Sequence, residues 1–391
     1  MLANLEIPFN EPSVEGHELD HVRAAVESGS TSAGGPFSAR VSEMLRAETG
    51  AADALLTTSC TGALEMSALL LDLAPGDVAI VPSFTFVSSA TAFVRAGAGI
   101  VFCDIEPDTL GVDPRHLATL LDEYGDRVRA VVVVHYAGIA GDIDGITEAL
   151  RGRPDIALIE DNAHGLYGRW RGRPLGSLGR FATLSFHNTK NLTCGEGGAL
   201  LVNDPADVAR SLVLYDKGTD RQAFLRGMVD KYTWRDIGSS FGLADTLAAY
   251  LYGQLEQSGS IQAKRRRVFE RYAEELAPYA DELGIRLPVV PEHCEPAYHL
   301  FHLLLPDLAT RTRVMSELRA EGISTAFHYV PLHDSAGGRR FAVGEPECPV
   351  TVDVSERLLR LPFYNNLTEA QIERVIDALV RSLKNRPAQG A

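Results

Sequence analysis

Lysine is scarce in this 391-residue sequence: only Lys190, Lys217, Lys231, Lys264 and Lys384 occur, so arginine supplies most of the positive charge. Cysteine is scarce too. Cys60, Cys103, Cys194, Cys294 and Cys348 are odd in number and far apart, and none stands in a C-x-x-C spacing. Neither a disulfide framework nor a zinc site is indicated, no metal is expected, and a reducing cytoplasm fits best. Positive charge is in deficit overall, with a net charge of -15. Nucleic acid and anionic membranes would be repelled over the whole surface, so any anionic ligand has to be held by a local site. No apolar run approaches the roughly 20 residues of a membrane span. The start, MLANLEIPFNEP, lacks the basic and apolar regions of a secretory signal, and a protein neither exported nor embedded is expected. Internal repeats and low-complexity segments are also missing, apart from the terminal NRPAQGA.

What is present is an alternation of short apolar strands and helices. From Ala54 the chain reads as a strand ALLTT, a helix in SCTGALEMSALLLDL, a breaker APGD and a strand VAIVP. Helices come next near 88–96, 114–123 and 143–150, separated by the strands GIVFCDI, AVVVVHY and IALIED. Near-continuous apolar strands between helices predict a parallel sheet covered on both faces, which binds ligands at the carboxyl ends of its strands. Helices are also expected at 15–28, 245–255, 261–276, 311–321 and 369–383, and a strand at YHLFHLLL, 298–305. The expected division is a large domain, 1–260, with an N-terminal arm, and a small α+β domain, 261–391.

Three strand ends carry polar groups that the alternation does not require. Thr58, Ser59, Cys60, Thr61 and Gly62 stand at a helix start, where hydroxyls and free N–H groups either cap the helix or hold a phosphate. Asp161 ends IALIED and either caps the next segment or pairs with a cation; His164 lies three residues on. Phe84 and Phe86, after VAIVP, are either core or a cover for a flat ring. The fourth feature is the stretch FATLSFHNTKNLTCGEGGALLVN, 181–203. It sets Lys190 between two apolar strands, with Gly195, Gly197 and Gly198 expected to supply positive φ for a tight turn. A lysine held there is kept from water, which lowers its pKa toward the neutral amine that forms a Schiff base with an aldehyde.

A phosphate cradle, an acid, an aromatic cover and an aldehyde-capturing lysine, delivered by one sheet, are together what pyridoxal 5'-phosphate requires. The motifs SCTGALEM, PSFTFVSSA, VVHYAG, EDNAHG, SFHNTKN with GEGG, and HYVPLH resemble the DegT/DnrJ/EryC1/StrS sugar aminotransferases over nearly the whole chain. The resemblance implies the fold type I architecture of pyridoxal phosphate transferases, aspartate aminotransferase-like. It implies Lys190 as the Schiff base lysine and proton carrier, Asp161 at the pyridine nitrogen and His164 near the ring. It further implies Ser59, Cys60 and Ser185 at the phosphate, with Phe86 as the stacking aromatic. A Gly-x-Asn pattern of the family, contributed across a homodimer interface, reads Gly238-Ser239-Ser240 here, so Ser240 would have to substitute.

Within that family the segments KGTDR and DKYTWRDIGSS look most like transaminases of TDP-4-oxo-6-deoxy-glucose. They imply amination at C4 of a dTDP-linked ketosugar with glutamate as amino donor. Lys217, Arg221, Arg226 and Lys231 are the candidate contacts for the substrate diphosphate, or simply a solvated face; His328, Tyr329 and His333 are further candidate substrate contacts. Amination at C3 and a cofactor-binding protein without turnover are the competing readings. Family dehydratases carry histidine in place of the lysine, and Lys190 argues against them.

Overall fold

The computed structural model describes residues 7–225 and 227–385. Nine strands make two sheets of the large unit together with a short C-terminal strand: β1 (Asp53–Thr57), β2 (Val78–Pro82), β3 (Gly99–Cys103), β4 (Val128–Val134), β5 (Ala157–Asp161), β6 (Arg169–Trp170), β7 (Arg173–Pro174), β8 (Phe181–Ser185) and β9 (Gly198–Val202). The main sheet has seven strands in the order β1-β9-β8-β5-β4-β2-β3. Its pairs are parallel except those of β9, which runs antiparallel to both β1 and β8. The chain between β8 and β9 contains no crossover helix, so β9 can only return antiparallel. This is the mostly parallel α/β architecture expected, with one reversed strand beside the lysine-bearing turn.

Side chains of the sheet alternate between two layers. Leu55, Val81, Val132 and Leu200 pack with the helices Cys60–Leu69 and Ser88–Arg95. Leu56, Leu184 and Leu201 face the other way, toward the helices Pro36–Thr49 and Asp245–Glu256, and Ile80, Val131 and Val133 toward Pro114–Tyr124 and Ile143–Ala149. Both faces are covered, which leaves the strand ends as the open edges along the strand direction.

A separate core lies in the C-terminal part. It joins the helices Ser258–Leu276, Leu308–Ala320 and Glu369–Lys384 to Phe301, Leu303, Leu359 and Leu361, and it takes in Ile7 from the N-terminal arm. The last helix has its apolar residues Ile372, Val375, Ile376, Leu379 and Leu383 on one face and starts on a reciprocal cap between Thr368 and Gln371. Three short strands complete the chain: β10 (Cys294–Glu295), which pairs with β6, and β11 (His302–Leu304) and β12 (Leu358–Arg360), which pair with each other.

The structure differs from the sequence reading at two places that matter for the site. Of YHLFHLLL only His302–Leu304 is a strand. Before it the chain is bent at Tyr298, φ 52°, because the guanidinium of buried Arg265 donates to the carbonyls of Tyr298 at 2.8 Å and His299 at 2.5 Å. Of the three glycines after Lys190, only Gly195 has positive φ, 88°. Gly198 is required for a different reason: a Cβ there would lie 2.4 Å from the backbone N of Cys60, so only glycine lets β9 approach the turn after β1. Among the described residues no helix is long and apolar enough to cross a membrane.

Candidate active site

The carboxyl ends of β1, β2, β4, β5 and β8 surround one cavity of about 390 Å³, closed from the C-terminal side by His299, His328, Tyr329 and Arg360. Each strand delivers a different group. After β1, Ser59, Cys60 and Thr61 line the cavity at the start of the helix Cys60–Leu69. Ser59 caps that helix, its Oγ accepting from the Gly62 N–H at 3.0 Å. The neighbouring N–H groups stand at the positive end of the helix, where an anion is favoured. Burial, with the nearby Asp161 charge, pushes the Cys60 thiol up to about 12, so it stays a neutral donor, 3.5 Å from Thr183 Oγ1.

Asp161, the last residue of β5, is 5% exposed. Its Oδ2 accepts from Ser89 Oγ at 2.6 Å and its Oδ1 from the Ala163 N–H at 3.3 Å. With the Ser89 proton committed to the carboxylate, Thr85 donates to Ser89 at 2.8 Å, so the acid is held by a relay from the turn after β2 and the helix Ser88–Arg95. No lysine, arginine or histidine forms an ion pair with Asp161 among the described residues. A buried carboxylate without a counter-charge is a strongly unfavourable arrangement unless a cation arrives with a ligand.

Lys190 comes after β8 in a turn closed by its own N–H to the His187 carbonyl, 2.9 Å. Its side chain faces the cavity and makes no ion pair among the described residues. Burial pulls the ammonium down to about 8; the Arg360 charge works in the same direction, and Asp161 works against both. A substantial fraction of neutral amine at physiological pH is the consequence. His164 stacks on His299 with ring centroids 4.1 Å apart, and burial drives both imidazoles well below their ordinary pKa. His299 is fixed by Asn191, whose Oδ1 is 2.8 Å from Nδ1 and whose amide donates to the Ala297 carbonyl at 2.6 Å. Nδ1 of His164 is buried without a partner among the described residues.

Phe86 lines the cavity and is 59% exposed, free to cover a planar ligand, whereas Phe84 is buried core against Tyr136. Ser185, His328 and Tyr329 also line it. The remaining candidates stand elsewhere. His333 is tied by Nδ1 to Ser83 Oγ at 2.6 Å, with its N–H returning to the same oxygen at 3.2 Å, so it pins the HYVPLH segment to the turn after β2 instead of entering the cavity. Lys217 and Arg221 share the carboxylate of Asp216, at 2.8 and 3.1 Å. Lys231 and Ser240 are exposed on the loop after them, Ser240 bridging to Asp216. Arg226 lies outside the described residues.

Several groups that line or support the cavity give little signal in the sequence. Thr85 and Ser89 sit inside PSFTFVSSA, where the phenylalanines are more conspicuous. Asn191 directly follows the lysine. Phe9 belongs to the N-terminal arm, and His299 and Arg360 lie in apolar runs whose rhythm conceals a polar role.

An unpaired buried acid, a partly neutral lysine, a helix start with hydroxyls and an uncovered aromatic, all at the carboxyl edge of one sheet, define the pyridoxal phosphate enzymes of fold type I. The residues fit that cofactor: Asp161 suits a protonated ring nitrogen, Lys190 an aldehyde, and the Ser59–Thr61 turn, tightened by Gly198, a phosphate. The comparison with known proteins narrows the class. The model of the DegT/DnrJ/EryC1/StrS aminotransferase family matches residues 12–380. The chain is similar to the aminotransferase TlmJ from Streptoalloteichus hindustanus, at 30% identity and a TM-score of 0.87 over 97% of this chain and 99% of that one. It is similar to DesV from S. venezuelae at 29% identity and a TM-score of 0.87, over 97% and 99% of the two chains. It shares the fold of Spr1654 from Streptococcus pneumoniae in its PLP form, at 23% identity and a TM-score of 0.87, over 97% and 98%. The protein belongs to the DegT/DnrJ/EryC1/StrS aminotransferases and is a pyridoxal phosphate-dependent enzyme.

Proposed function

We propose that the enzyme transfers the amino group of L-glutamate to C4 of dTDP-4-oxo-6-deoxy-D-glucose, giving a dTDP-4-amino-4,6-dideoxyhexose. The observation that carries the amine transfer is the presence in one cavity of buried Asp161 and half-buried Lys190, each without an ion-pair partner among the described residues. The choice of sugar rests on the segments 217–221 and 230–240 of the sequence.

Pyridoxal phosphate, when bound, supplies an aldehyde for Lys190 and a ring that accepts the electron pair of a broken Cα–H bond. The chain's own residues do the rest. Asp161, oriented by Ser89 and Ala163, holds a proton on the ring nitrogen. Nζ of Lys190 would hold the aldehyde and, once freed by the donor's amine, would carry the proton from the donor's Cα to the former aldehyde carbon; the same transfer in reverse would serve the sugar. Ser59, Cys60 and Ser185 would hold the phosphate and Phe86 would cover the ring, while the His164–His299 stack walls the cavity. His328 and Tyr329 border the space left for substrate.

The test is incubation with dTDP-4-oxo-6-deoxy-D-glucose and L-glutamate, with NMR of the sugar afterwards. A nitrogen-bearing C4 is the expected result. Nitrogen at C3 of a 3-ketosugar instead would favour the second reading. A protein that binds the cofactor but is never converted to the pyridoxamine form by any amino acid would leave only a binding role.

The loop carrying Lys231 and Ser240 suggests how the substrate side of the site is completed. Met228, Tyr232, Trp234 and Ile237 are all more than half exposed on it, Trp234 at 82%, an apolar surface of the kind that a second subunit covers. In this reading the active form is a homodimer, and Lys231 and Ser240 reach the partner's cavity. Lys190→Ala and Lys231→Glu should each be poorly active alone. Mixed in equal amounts and allowed to exchange subunits, they should regain about a quarter of wild-type activity, because half of the dimers then hold one intact site. No recovery despite proven exchange would rule out the shared site.

A further inference from the structure

Asn191, the residue after Lys190, fixes how His299 meets the cavity. Its side-chain nitrogen donates to the Ala297 carbonyl at 2.6 Å. A carbonyl only accepts, so the amide has one orientation, and Oδ1 is the atom 2.8 Å from His299 Nδ1. Nδ1 therefore carries the ring proton and donates it to Asn191. Burial drives this imidazole well below its ordinary pKa and keeps it neutral. Nε2 is then a bare acceptor. No described residue donates to it, yet it is not among the buried polar atoms without a partner, so it opens on the cavity that His299 lines.

Three separate parts of the molecule hold the ring in this place. Arg265 donates to the carbonyls of Tyr298 and His299, and the N–H groups of Ala297 and His299 donate to the carbonyls of Gly138 at 2.9 Å and Ala137 at 3.3 Å. His164 supports the face of the ring. Between these anchors Tyr298 is kept at φ 52°, a left-handed conformation that a residue with a side chain rarely adopts. Such a backbone persists only where its surroundings over-determine it, and positions of this kind concentrate at functional sites. Packing alone would not require a fixed tautomer with its free nitrogen open to the cavity. A neutral acceptor calls for a donor. The amino acid brings one donor group, the amine that the transfer consumes, and its carboxylates carry only lone pairs, which Nε2 would turn away. The cofactor's ring nitrogen is already matched to Asp161. The ketosugar is the substrate that brings hydroxyl groups, each able to donate.

We propose that Nε2 of His299 receives a ring hydroxyl of the ketosugar, with Asn191 as the positioning residue that fixes the tautomer. The inference rests on the reading of the acceptor as dTDP-4-oxo-6-deoxy-D-glucose, whose hexose ring carries hydroxyls only at C2 and C3. It makes His299 a specificity-determining residue of the second half-reaction.

Absorbance reads the two half-reactions separately: the pyridoxal form goes to the pyridoxamine form with L-glutamate and back with the ketosugar or with its 2-deoxy and 3-deoxy analogues. With the wild-type enzyme one of the two analogues should lose about 10–100-fold in kcat/KM, because the acceptor in the site is left unpaired. His299→Phe keeps a ring over His164 without the nitrogen. It should lower kcat/KM for the intact sugar by a similar factor and no longer distinguish it from that analogue, and the loss with glutamate should be much the smaller. His299→Gln can still donate to Asn191 and offer an oxygen to the cavity, so it should keep most of the discrimination. A wild-type enzyme indifferent to both missing hydroxyls would overturn the assignment even if no variant folds, and so would equal losses in the two half-reactions. Discrimination that survives in His299→Phe, with a shift in the pH at which the bound cofactor's absorbance changes, would overturn it in favour of a contact with the cofactor's own hydroxyl. A pyridoxamine form that no nucleotide ketosugar converts back would instead overturn the sugar acceptor itself.

Discussion

Replacing Lys190 by alanine is expected to lower amine transfer by at least about 10⁴-fold, because in the proposed mechanism one side chain supplies both the nucleophile and the proton carrier. Cofactor binding should survive without a covalent bond, since the groups proposed to hold the phosphate and the ring, Ser59, Cys60, Phe86, Asp161 and Ser185, are untouched by the change. The structure adds a pH signature to the wild-type protein. With the Lys190 ammonium drawn down to about 8, the fraction of neutral amine falls about tenfold for each pH unit below that value and is nearly complete above it. The rate at which the cofactor-free protein captures pyridoxal phosphate should therefore rise with pH and level off above about 8. A rise continuing to about 10.4, as for an ordinary lysine, would mean that Lys190 is not held away from water. Single-turnover assays with glutamate, with and without the variant, measure the loss directly.

Asp161→Asn should be the second most damaging change. Asparagine keeps the shape and can still accept from Ser89 and Ala163, but it removes the charge that the proposed mechanism uses to hold a proton on the ring nitrogen. Turnover should drop by about 10²–10³-fold, a magnitude typical of losing one preorganised electrostatic group, while cofactor affinity falls much less. Ser89→Ala, which removes the donor that orients the carboxylate and leaves its charge, should cost far less than Asp161→Asn. Near-normal turnover in Asp161→Asn would show that the acid has been misassigned; the same large loss in both variants would shift the role from charge to positioning.

Where each group sits decides how much of this is legible in the chain. Asp161 closes an apolar strand and Lys190 stands in the polar turn between two of them, and a polar residue at such a place interrupts a pattern that is otherwise easy to read. Ser59 stands at a helix start, where small hydroxyl residues announce themselves. The sheet is legible for the same reason, its strands being nearly continuous apolar runs. The direction of β9 is not, because it depends on the absence of a helix between β8 and β9 and on the contact of Gly198 with Cys60. His299 is hidden inside YHLFHLLL, an apolar run that Arg265 bends from a distant helix. Arg360 is hidden in LLRLP, where its neighbours Leu359 and Leu361 belong to the C-terminal core, and its place at the cavity depends on backbone pairing with β11 on one side and Ala326 on the other. His333, by contrast, has the motif of a site residue, yet its hydrogen bonds with Ser83 leave it outside the cavity. Local pattern reports what a residue is; only tertiary contact reports what it faces.

The proposed mechanism centres on Lys190 as the residue that carries the cofactor. Borohydride reduction of the holoenzyme, with peptide mapping of the product, fixes that bond irreversibly and locates it. The pyridoxyl group should be found on the peptide containing Lys190 and on no other. An adduct on Lys217, Lys231, Lys264 or Lys384, or a reduced protein with no adduct at all, would contradict it.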